Sequence, residues 1–335
     1  MDCIISAGNG ILVAVRSPGR LGSGVPVKSL GKILRSVRAF GQGFSNASNL
    51  PPAGIQPRLG IALGGGFARG IAHIGVLKVL EEEKIPVSFV AGTSVGALIG
   101  AIYCSGLSGS DLEQVARRVR FRDFARWTLS RFGFATNHRM VRFLSSVLQA
   151  KTFEELRIPL AVAATDFATG EGVVFRSGPL VDPVRASCAY PGMFLPVDIG
   201  GRLLVDGMLA HAVPTRPLRQ MGAERVLAIH LKAMWSRPEG PRHVFDVIGQ
   251  CFAIAQDMNC ASWRNAADLV IEPNVSGYEY DDFEHCDDLM RAGEAAMRDA
   301  LPLVRKWFVT APDVAAARHS RKPTRVAQPA ALPAD

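Results

Sequence analysis

Residues 92–96 have the pattern Gly-x-Ser-x-Gly (GXSXG) and follow an apolar run that predicts a β-strand. Between a strand and a helix, this pattern predicts a nucleophile elbow, a tight turn that presents a serine hydroxyl at the strand's carboxyl end. The helix predicted after the turn directs its N-terminal N–H groups towards developing negative charge. The alternative is a glycine-rich turn that only packs a helix against a strand. We expect Ser94 to be a catalytic nucleophile.

A second glycine-rich loop, residues 64–70 with the sequence GGGFARG, also lies between a predicted strand and a predicted helix. Because a parallel βαβ unit brings the carboxyl ends of its strands to one edge of the sheet, we expect this loop beside Ser94. Arg69 is a fixed cation that either holds the loop or meets a phosphate. A dinucleotide fingerprint is the competing interpretation, but Arg69 occupies its third glycine position. Four backbone N–H groups suit an oxyanion hole at this edge: those of Gly64, Gly65, Gly66 and Val95.

A serine nucleophile needs a base, and Asp206 is the first candidate. It follows the apolar run 203–205 and precedes a glycine, so we expect its carboxylate at a strand end. A Ser-Asp-His triad with His230 or His243 is allowed by chain order, although neither histidine lies in a glycine-flanked turn. Asp166 is a rival acid, which we interpret as structural. Burial beside the serine would raise the pKa of such a carboxylate and make it a stronger base.

These motifs resemble those of the patatin-like phospholipases. The loop 64–70 is similar to that family's oxyanion-hole motif, and residues 92–96 are similar to its nucleophile motif. Residues 186–191, ASCAYP, are similar to its third block, and Asp206 with the following glycine is similar to its dyad aspartate. The four blocks occur in the family's order within about residues 59–310.

The resemblance implies a three-layer α/β/α fold with a central, mostly parallel sheet. It implies a Ser94–Asp206 dyad, in which the aspartate takes the serine proton directly. The implied function is a serine lipid acyl hydrolase, either a phospholipase A or a lysophospholipase-like esterase. It would act through an acyl-Ser94 intermediate, without a cofactor or metal. Met208 departs from the small residue that the family usually has, so we expect it to narrow the pocket or shift the loop.

Two other functions stay open at this point. One is a general carboxylesterase with a Ser-Asp-His triad. The other is a catalytically weak, membrane-associated scaffold, for which Met208 is the hint.

Alternating strand and helix signals must position these residues. A βαβα unit at the start predicts a parallel sheet with covering helices. Ser110 and Glu113 resemble a capping box that opens another helix. The predicted strands are Leu59–Leu63, 88–91, 160–164, Gly172–Phe175, 203–205, 226–231 and Leu269–Ile271. The other predicted helices are 71–84, one from the elbow to about Cys104, and 287–308.

Charge is concentrated at the two ends of the chain. The 335 residues carry a formal charge of +8, yet residues 59–310 hold 27 basic and 27 acidic side chains. We therefore predict a basic, Pro/Gly-rich extension over 1–57, a hydrolase domain over 58–310 and a disordered basic tail over 311–335. Residues 28–40 have the spacing of a short basic amphipathic helix, with a disordered extension as the alternative.

Partner and compartment follow from these patterns. Basic ends on a neutral body indicate an anionic surface as partner, either a membrane or nucleic acid. With a lipase-like site in the same chain, we predict peripheral binding to an anionic membrane surface and no nucleic acid partner. The segment 117–143 interleaves arginines with aromatic residues, which suits a headgroup interface or, alternatively, a partly buried amphipathic helix pair. The six cysteines form no CxxC pair and no run reaches the ~18 apolar residues of a spanning helix. We predict a cytoplasmic protein of unknown oligomeric state.

Overall fold

An eight-stranded sheet carries the candidate residues. The structure is a computed structural model that describes residues 56–308, apart from residue 125 and segments 131–132, 233–239 and 242–243. The predicted amphipathic helix at 28–40 and the predicted tail at 311–335 lie outside the described residues. The domain boundaries at 57/58 and 310/311 stay predictions.

The strands follow the predicted order, with three additional strands. They are β1 (Leu59–Leu63), β2 (Phe89–Thr93), β3 (Arg126–Ser130), β4 (Gly133–Thr136), β5 (Leu160–Asp166), β6 (Gly172–Phe175), β7 (Val197–Ile199), β8 (Arg202–Asp206), β9 (Arg225–Ile229) and β10 (Leu269–Ile271). The hairpin β3–β4 and the short strand β7 were not predicted, because segments of three to five residues give almost no periodicity. Strand β9 ends at Ile229, so His230 follows the strand instead of lying within it.

The helices are α1 (Ala72–Glu82), α2 (Val95–Ser105), α3 (Gly109–Arg118), α4 (Phe121–Phe124), α5 (His138–Val147), α6 (Val181–Ser187), α7 (Thr215–Gln220), α8 (Val244–Met258), α9 (Cys260–Arg264) and α10 (Cys286–Lys306). Short 3₁₀ turns occupy Phe67–Ile71, Phe153–Glu155 and Gly207–Leu209. No helix in the described part of the chain is long and apolar enough to cross a bilayer.

The predicted capping box at Ser110 and Glu113 is wrong. The box that opens α3 is formed by Ser108 and Asp111: Asp111 N–H donates to Ser108 Oγ (3.1 Å), and Ser108 N–H donates to Asp111 Oδ2 (2.9 Å). The helix therefore starts two residues earlier than predicted. Glu113 instead pairs with Lys78 of α1 at 2.8 Å.

The sheet is mixed but mostly parallel, and helices cover both of its faces. Strands β10, β9, β1, β2 and β5 pair in that order and run parallel, whereas β6, β8 and β7 pair antiparallel. Alternate residues of β1 face opposite sides. Ile61 packs with α1, α2 and α10 on one side, and Ala62 packs with α7 and α9 on the other. This confirms the predicted three-layer α/β/α architecture.

The register of β5 explains why two distant residues meet. Thr93 of β2 is in register with Ala163, and Asp206 of β8 is in register with the next residue, Ala164. Strand β6 occupies the opposite side of the same stretch of β5. Strands β2 and β8 therefore approach from opposite directions along one side of β5, and their carboxyl ends meet. The residue after β2 is Ser94, and the last residue of β8 is Asp206.

Candidate active site

Ser94 lies at a strained turn between β2 and α2. Its backbone has φ 55° and ψ −126°, a conformation that a side-chain-bearing residue rarely adopts and that costs about 1–3 kcal/mol. The flanking glycines are required by close backbone approach. A Cβ on Gly92 would lie 2.4 Å from the carbonyl oxygen of Gly96, and one on Gly96 would lie 2.2 Å from that of Leu63. The strain is thus held in place by packing, as in a nucleophile elbow.

A second serine anchors this turn. The N–H of Ser94 donates to Ser187 Oγ (2.8 Å), and Ser187 Oγ donates to the carbonyl oxygen of Ala163 in β5 (2.6 Å). Ser187 is fully buried at the end of α6. Ser187 belongs to the block 186–191, and no individual role was predicted for it. Its contact links that block to the serine turn.

The carboxylate of Asp206 contacts the serine directly. Ser94 Oγ donates to Asp206 Oδ2 at 2.7 Å, and the N–H of Met208 donates to Asp206 Oδ1 at 2.9 Å. The Asp206 side chain is fully buried. Burial raises the pKa of Asp206 from 3.8 to about 7, against the opposing effect of the hydrogen bonds from Ser94 and Met208. A carboxylate with such a pKa is a far stronger base than an exposed one.

The glycine loop lies at the same sheet edge, but two of its N–H groups are already engaged. Gly64 N–H donates to Ile229 O (3.1 Å), and Gly65 N–H donates to Ala212 O (3.3 Å). In this arrangement Gly64 and Gly65 anchor the loop, which corrects their prediction as oxyanion donors. The N–H groups of Gly66 and Val95 have no acceptor among the described residues. These two remain as candidate donors.

The side chains of Arg69 and His73 form hydrogen bonds that help to fix the position of this loop. Arg69 is buried, and its Nε donates to the carbonyl oxygen of Tyr278 at 2.9 Å, so the first of its two predicted roles fits the structure. Burial lowers the pKa of Arg69. The ring Nε2 of His73 lies 2.8 Å from the carbonyl oxygen of Gly64, and burial lowers the pKa of His73 to about 4. A neutral His73 therefore donates to the loop backbone.

Met208 does not narrow the cavity at Ser94. Its side chain is buried against Gly65, where a Cβ would lie 2.4 Å from Met208 Cγ. It lines a separate cavity formed with His211, Arg216 and Trp263. The backbone of Met208 orients Asp206, and its side chain packs under the glycine loop.

The rival acid and the alternative bases have other partners. Asp166 pairs with Arg202 at 2.8 Å, which holds the pKa of Asp166 below its usual value. His230 Nδ1 lies 3.0 Å from Glu272 Oε1, and burial lowers the pKa of His230. His243 lies outside the described residues. Within the part of the chain that the structure describes, the hydrogen-bond partner of Ser94 Oγ is Asp206.

An apolar cavity opens at Ser94. It encloses about 860 Å³ of space not filled by atoms, a figure that includes open solvent at its mouth. Ser94 contributes a hydroxyl, and the other side chains of the wall are aliphatic, aromatic or sulfur-containing. Along α2 the lining runs from Val95 to Ile102, about 10 Å of helix axis. The far wall comes from α3, α4 and α5 and includes Leu112, Val119, Phe124, Met140 and Phe143.

Comparison with known proteins agrees with this geometry. Residues 61–219 match the family model described as "Patatin-like phospholipase". An uncharacterized NTE family protein of Mycobacterium tuberculosis is 32% identical over 186 residues, covering 55% of this chain and 51% of that protein. Lysophospholipase NTE1 of Mycosarcoma maydis is 28% identical over 225 residues, covering 65% of this chain and 12% of that protein. The chain thus spans about half the length of the first relative and a small part of the second.

A solved structure is similar in fold. The crystal structure of VipD from Legionella pneumophila superposes with a TM-score of 0.51 at 13% identity, covering 74% of this chain and 67% of that one. This likeness concerns the arrangement of the strands and helices.

Proposed function

We propose that this chain, whose residues 61–219 match the patatin-like phospholipase family model, is a serine lipid acyl hydrolase with a Ser94–Asp206 dyad. The observation that carries the proposal is the 2.7 Å hydrogen bond from Ser94 Oγ to a buried carboxylate, at the mouth of an apolar cavity. The nucleophile, its base and a site for a hydrocarbon chain are contiguous.

The reaction follows from this contact. Asp206 Oδ2 takes the proton from Ser94 Oγ as that oxygen attacks the ester carbonyl carbon of the substrate. The N–H groups of Gly66 and Val95 donate to the oxyanion of the tetrahedral intermediate. The intermediate collapses to acyl-Ser94, and the proton on Asp206 passes to the departing alcohol. Water then attacks the acyl-enzyme with Asp206 again as base, which releases the fatty acid and restores the serine.

The scissile group is assigned from the cavity. An acyl chain attached to Ser94 would lie along α2 among aliphatic and aromatic side chains, where its burial is favourable by about 0.8 kcal/mol per methylene. A fatty acyl ester is therefore the fitting substrate class. Lysophospholipase NTE1, by its name, hydrolyses lysophospholipids, and we extend that activity to this chain as phospholipase A or lysophospholipase action.

We also propose that the enzyme works at membrane surfaces, bound peripherally. The basic extension 1–57 and the segment 117–143 supply positive charge for anionic lipid. In the described part of that segment, Phe134 is 49% exposed, whereas Phe124 is buried against Phe143. The segment thus combines a packed aromatic core with an exposed ring.

The test is hydrolysis by the full-length protein and by Ser94→Ala. Wild-type protein should release p-nitrophenol from a short-chain nitrophenyl ester. It should also release fatty acid from total membrane lipid, and this release is measured by mass spectrometry. Ser94→Ala should lose both activities while keeping the wild-type melting profile. Activity of Ser94→Ala at the wild-type level would refute the assignment of the nucleophile.

A further inference from the structure

Helix α8 (Val244–Met258) presents an apolar stripe to solvent. Its residues recur at alternating spacings of three and four, so they share one face of the helix. The exposed fractions are 54% for Val244, 48% for Val247, 51% for Ile254 and 80% for Met258, and Cys251 in the centre is also exposed. Most large apolar side chains among the described residues are buried. A row of exposed ones on a single helix therefore marks a contact surface.

The opposite face of α8 is packed against the candidate active site. The ring centroid of Phe252 lies 4.9 Å from that of Tyr190, which in turn lies 4.7 Å from that of Phe67 in the cavity wall. Helix α8 also contacts the turn Gly207–Leu209, directly after Asp206. Leu209 on this turn is 50% exposed. Helix α8 is thus joined to the wall of the Ser94 cavity by a short chain of side-chain contacts.

A second copy of the chain is a poor occupant for this stripe. A helix of 15 residues presents a footprint of about 22 by 10 Å, or roughly 220 Å². A stable protein interface needs about 800 Å² on each partner. Paired helices also use complementary charges beside the apolar seam, whereas here those positions hold Ile248, Gln250, Ala255 and Asp257.

A lipid surface fits better. The helix contains no lysine or arginine, so its exposed face offers hydrophobic contact without electrostatic attraction. We propose that α8 inserts this stripe into the boundary between lipid headgroups and acyl chains, and so holds the entrance of the Ser94 cavity against the bilayer. This inference rests on the proposed lipid hydrolase function. It assigns α8 a salt-insensitive role, in contrast to the charge-dependent binding proposed for the basic segments.

The experiment compares full-length Val247→Glu with Leu303→Glu. Both positions are 48% exposed, but Leu303 lies on α10, away from the stripe, and is the matched control. Co-sedimentation with vesicles of neutral phosphatidylcholine is measured at low and high salt. Val247→Glu should reduce partitioning about tenfold at both salt concentrations, and Leu303→Glu should leave it within twofold of wild type. Both variants should hydrolyse a soluble short-chain ester at the wild-type rate.

A second reporter is independent of vesicle partitioning. Tryptophan in Met258→Trp should be quenched by brominated phosphatidylcholine, and tryptophan in Leu303→Trp should not. Equal partitioning of the two glutamate variants, absence of wild-type binding, or equal quenching would overturn the proposal. Concentration-dependent dimerisation that Val247→Glu abolishes would assign the stripe to a second copy and also overturn it. Vesicle binding by the wild type without ester hydrolysis would refute the proposed function, whereas ester hydrolysis with equal partitioning of the two glutamate variants would refute this inference alone.

Discussion

Replacing Asp206 by asparagine should abolish turnover and stabilise the protein at alkaline pH. The asparagine is isosteric: its oxygen can accept from Met208 N–H, and its amide can donate to Ser94 Oγ. Wild-type Asp206 is buried, with its pKa raised from 3.8 to about 7. Loss of a general base costs about 10²–10⁴-fold in rate, so hydrolysis of a soluble ester should fall by that factor.

The stability effect has a defined sign and pH window. Because the pKa of Asp206 is higher in the folded state, the protonated carboxyl stabilises the fold below pH 3.8, and this contribution is lost as pH rises through about 7. The pKa difference corresponds to about 4 kcal/mol. At pH 8.5 the free energy of unfolding of Asp206→Asn should therefore be about 4 kcal/mol higher than that of the wild type. This difference should vanish near pH 4.

The assay is urea unfolding of both proteins at pH 4, 6 and 8.5, with a soluble nitrophenyl ester for turnover. Asp299→Asn, an exposed carboxyl on α10, is the matched control and should show no comparable pH-dependent difference. A stability difference independent of pH, or a less stable Asp206→Asn at pH 8.5, would contradict the burial argument. Near-normal turnover of Asp206→Asn would indicate a different base, with a histidine as the first candidate.

Four further outcomes are expected. The kcat/KM of the wild type for a soluble ester should rise with pH and level off above about 7, because Asp206 must be ionised to take the proton; a flat profile from pH 5 to 9 would argue against this base. Phe143 lines both the Ser94 cavity and an outer groove between α3 and α5, so Phe143→Ala should connect the cavity with the groove. The longer cavity should raise the ratio of kcat/KM for a palmitoyl ester to kcat/KM for an octanoyl ester severalfold. Val147 lines the groove but not the Ser94 cavity, so Val147→Ala should leave that ratio unchanged. An equal change of the ratio in both variants would refute the idea that Phe143 separates the cavity from the groove. EDTA should not reduce hydrolysis, since the proposed chemistry uses no metal; a loss restored by calcium would reveal an ion-dependent step. Deleting residues 1–50 should weaken binding to anionic vesicles at low salt, with residual binding through 117–143 that falls as salt is added; equal co-sedimentation of both proteins would refute a role for the extension.

The fold class and the pairing of Ser94 with Asp206 could be predicted because local signals and chain order carried them. Glycine spacing located the elbow, and an aspartate at the end of a short apolar run located the second strand end. The antiparallel approach of β8 to β2 was not predictable, since strand direction within the sheet leaves no trace in the three apolar residues before Asp206. The hairpin β3–β4 was missed because segments of four and five residues give almost no periodicity.

The oxyanion donors show a different limit. Three consecutive glycines look equivalent in sequence, but Gly64 and Gly65 lie beside β9 and the segment after Asp206, so their N–H groups pair with Ile229 and Ala212. Which N–H remains available depends on neighbours more than 140 residues away. The predicted narrowing of the pocket by Met208 was wrong for a similar reason, because its side chain packs on Gly65 of the loop and lines a cavity separate from the one at Ser94.

In the proposed mechanism, the burial that makes Asp206 a stronger base also makes its ionised form destabilising. A carboxylate in water is too weak a base to take a seryl proton efficiently at neutral pH, and complete burial corrects this by disfavouring the charged form. A histidine base would titrate near neutrality without such burial. It would, however, need a further residue to orient its ring. Here the ends of β2 and β8 meet beside β5, and the N–H of Met208 fixes the carboxylate. In the proposed dyad, two rigid strand ends therefore take the place of the orienting residue.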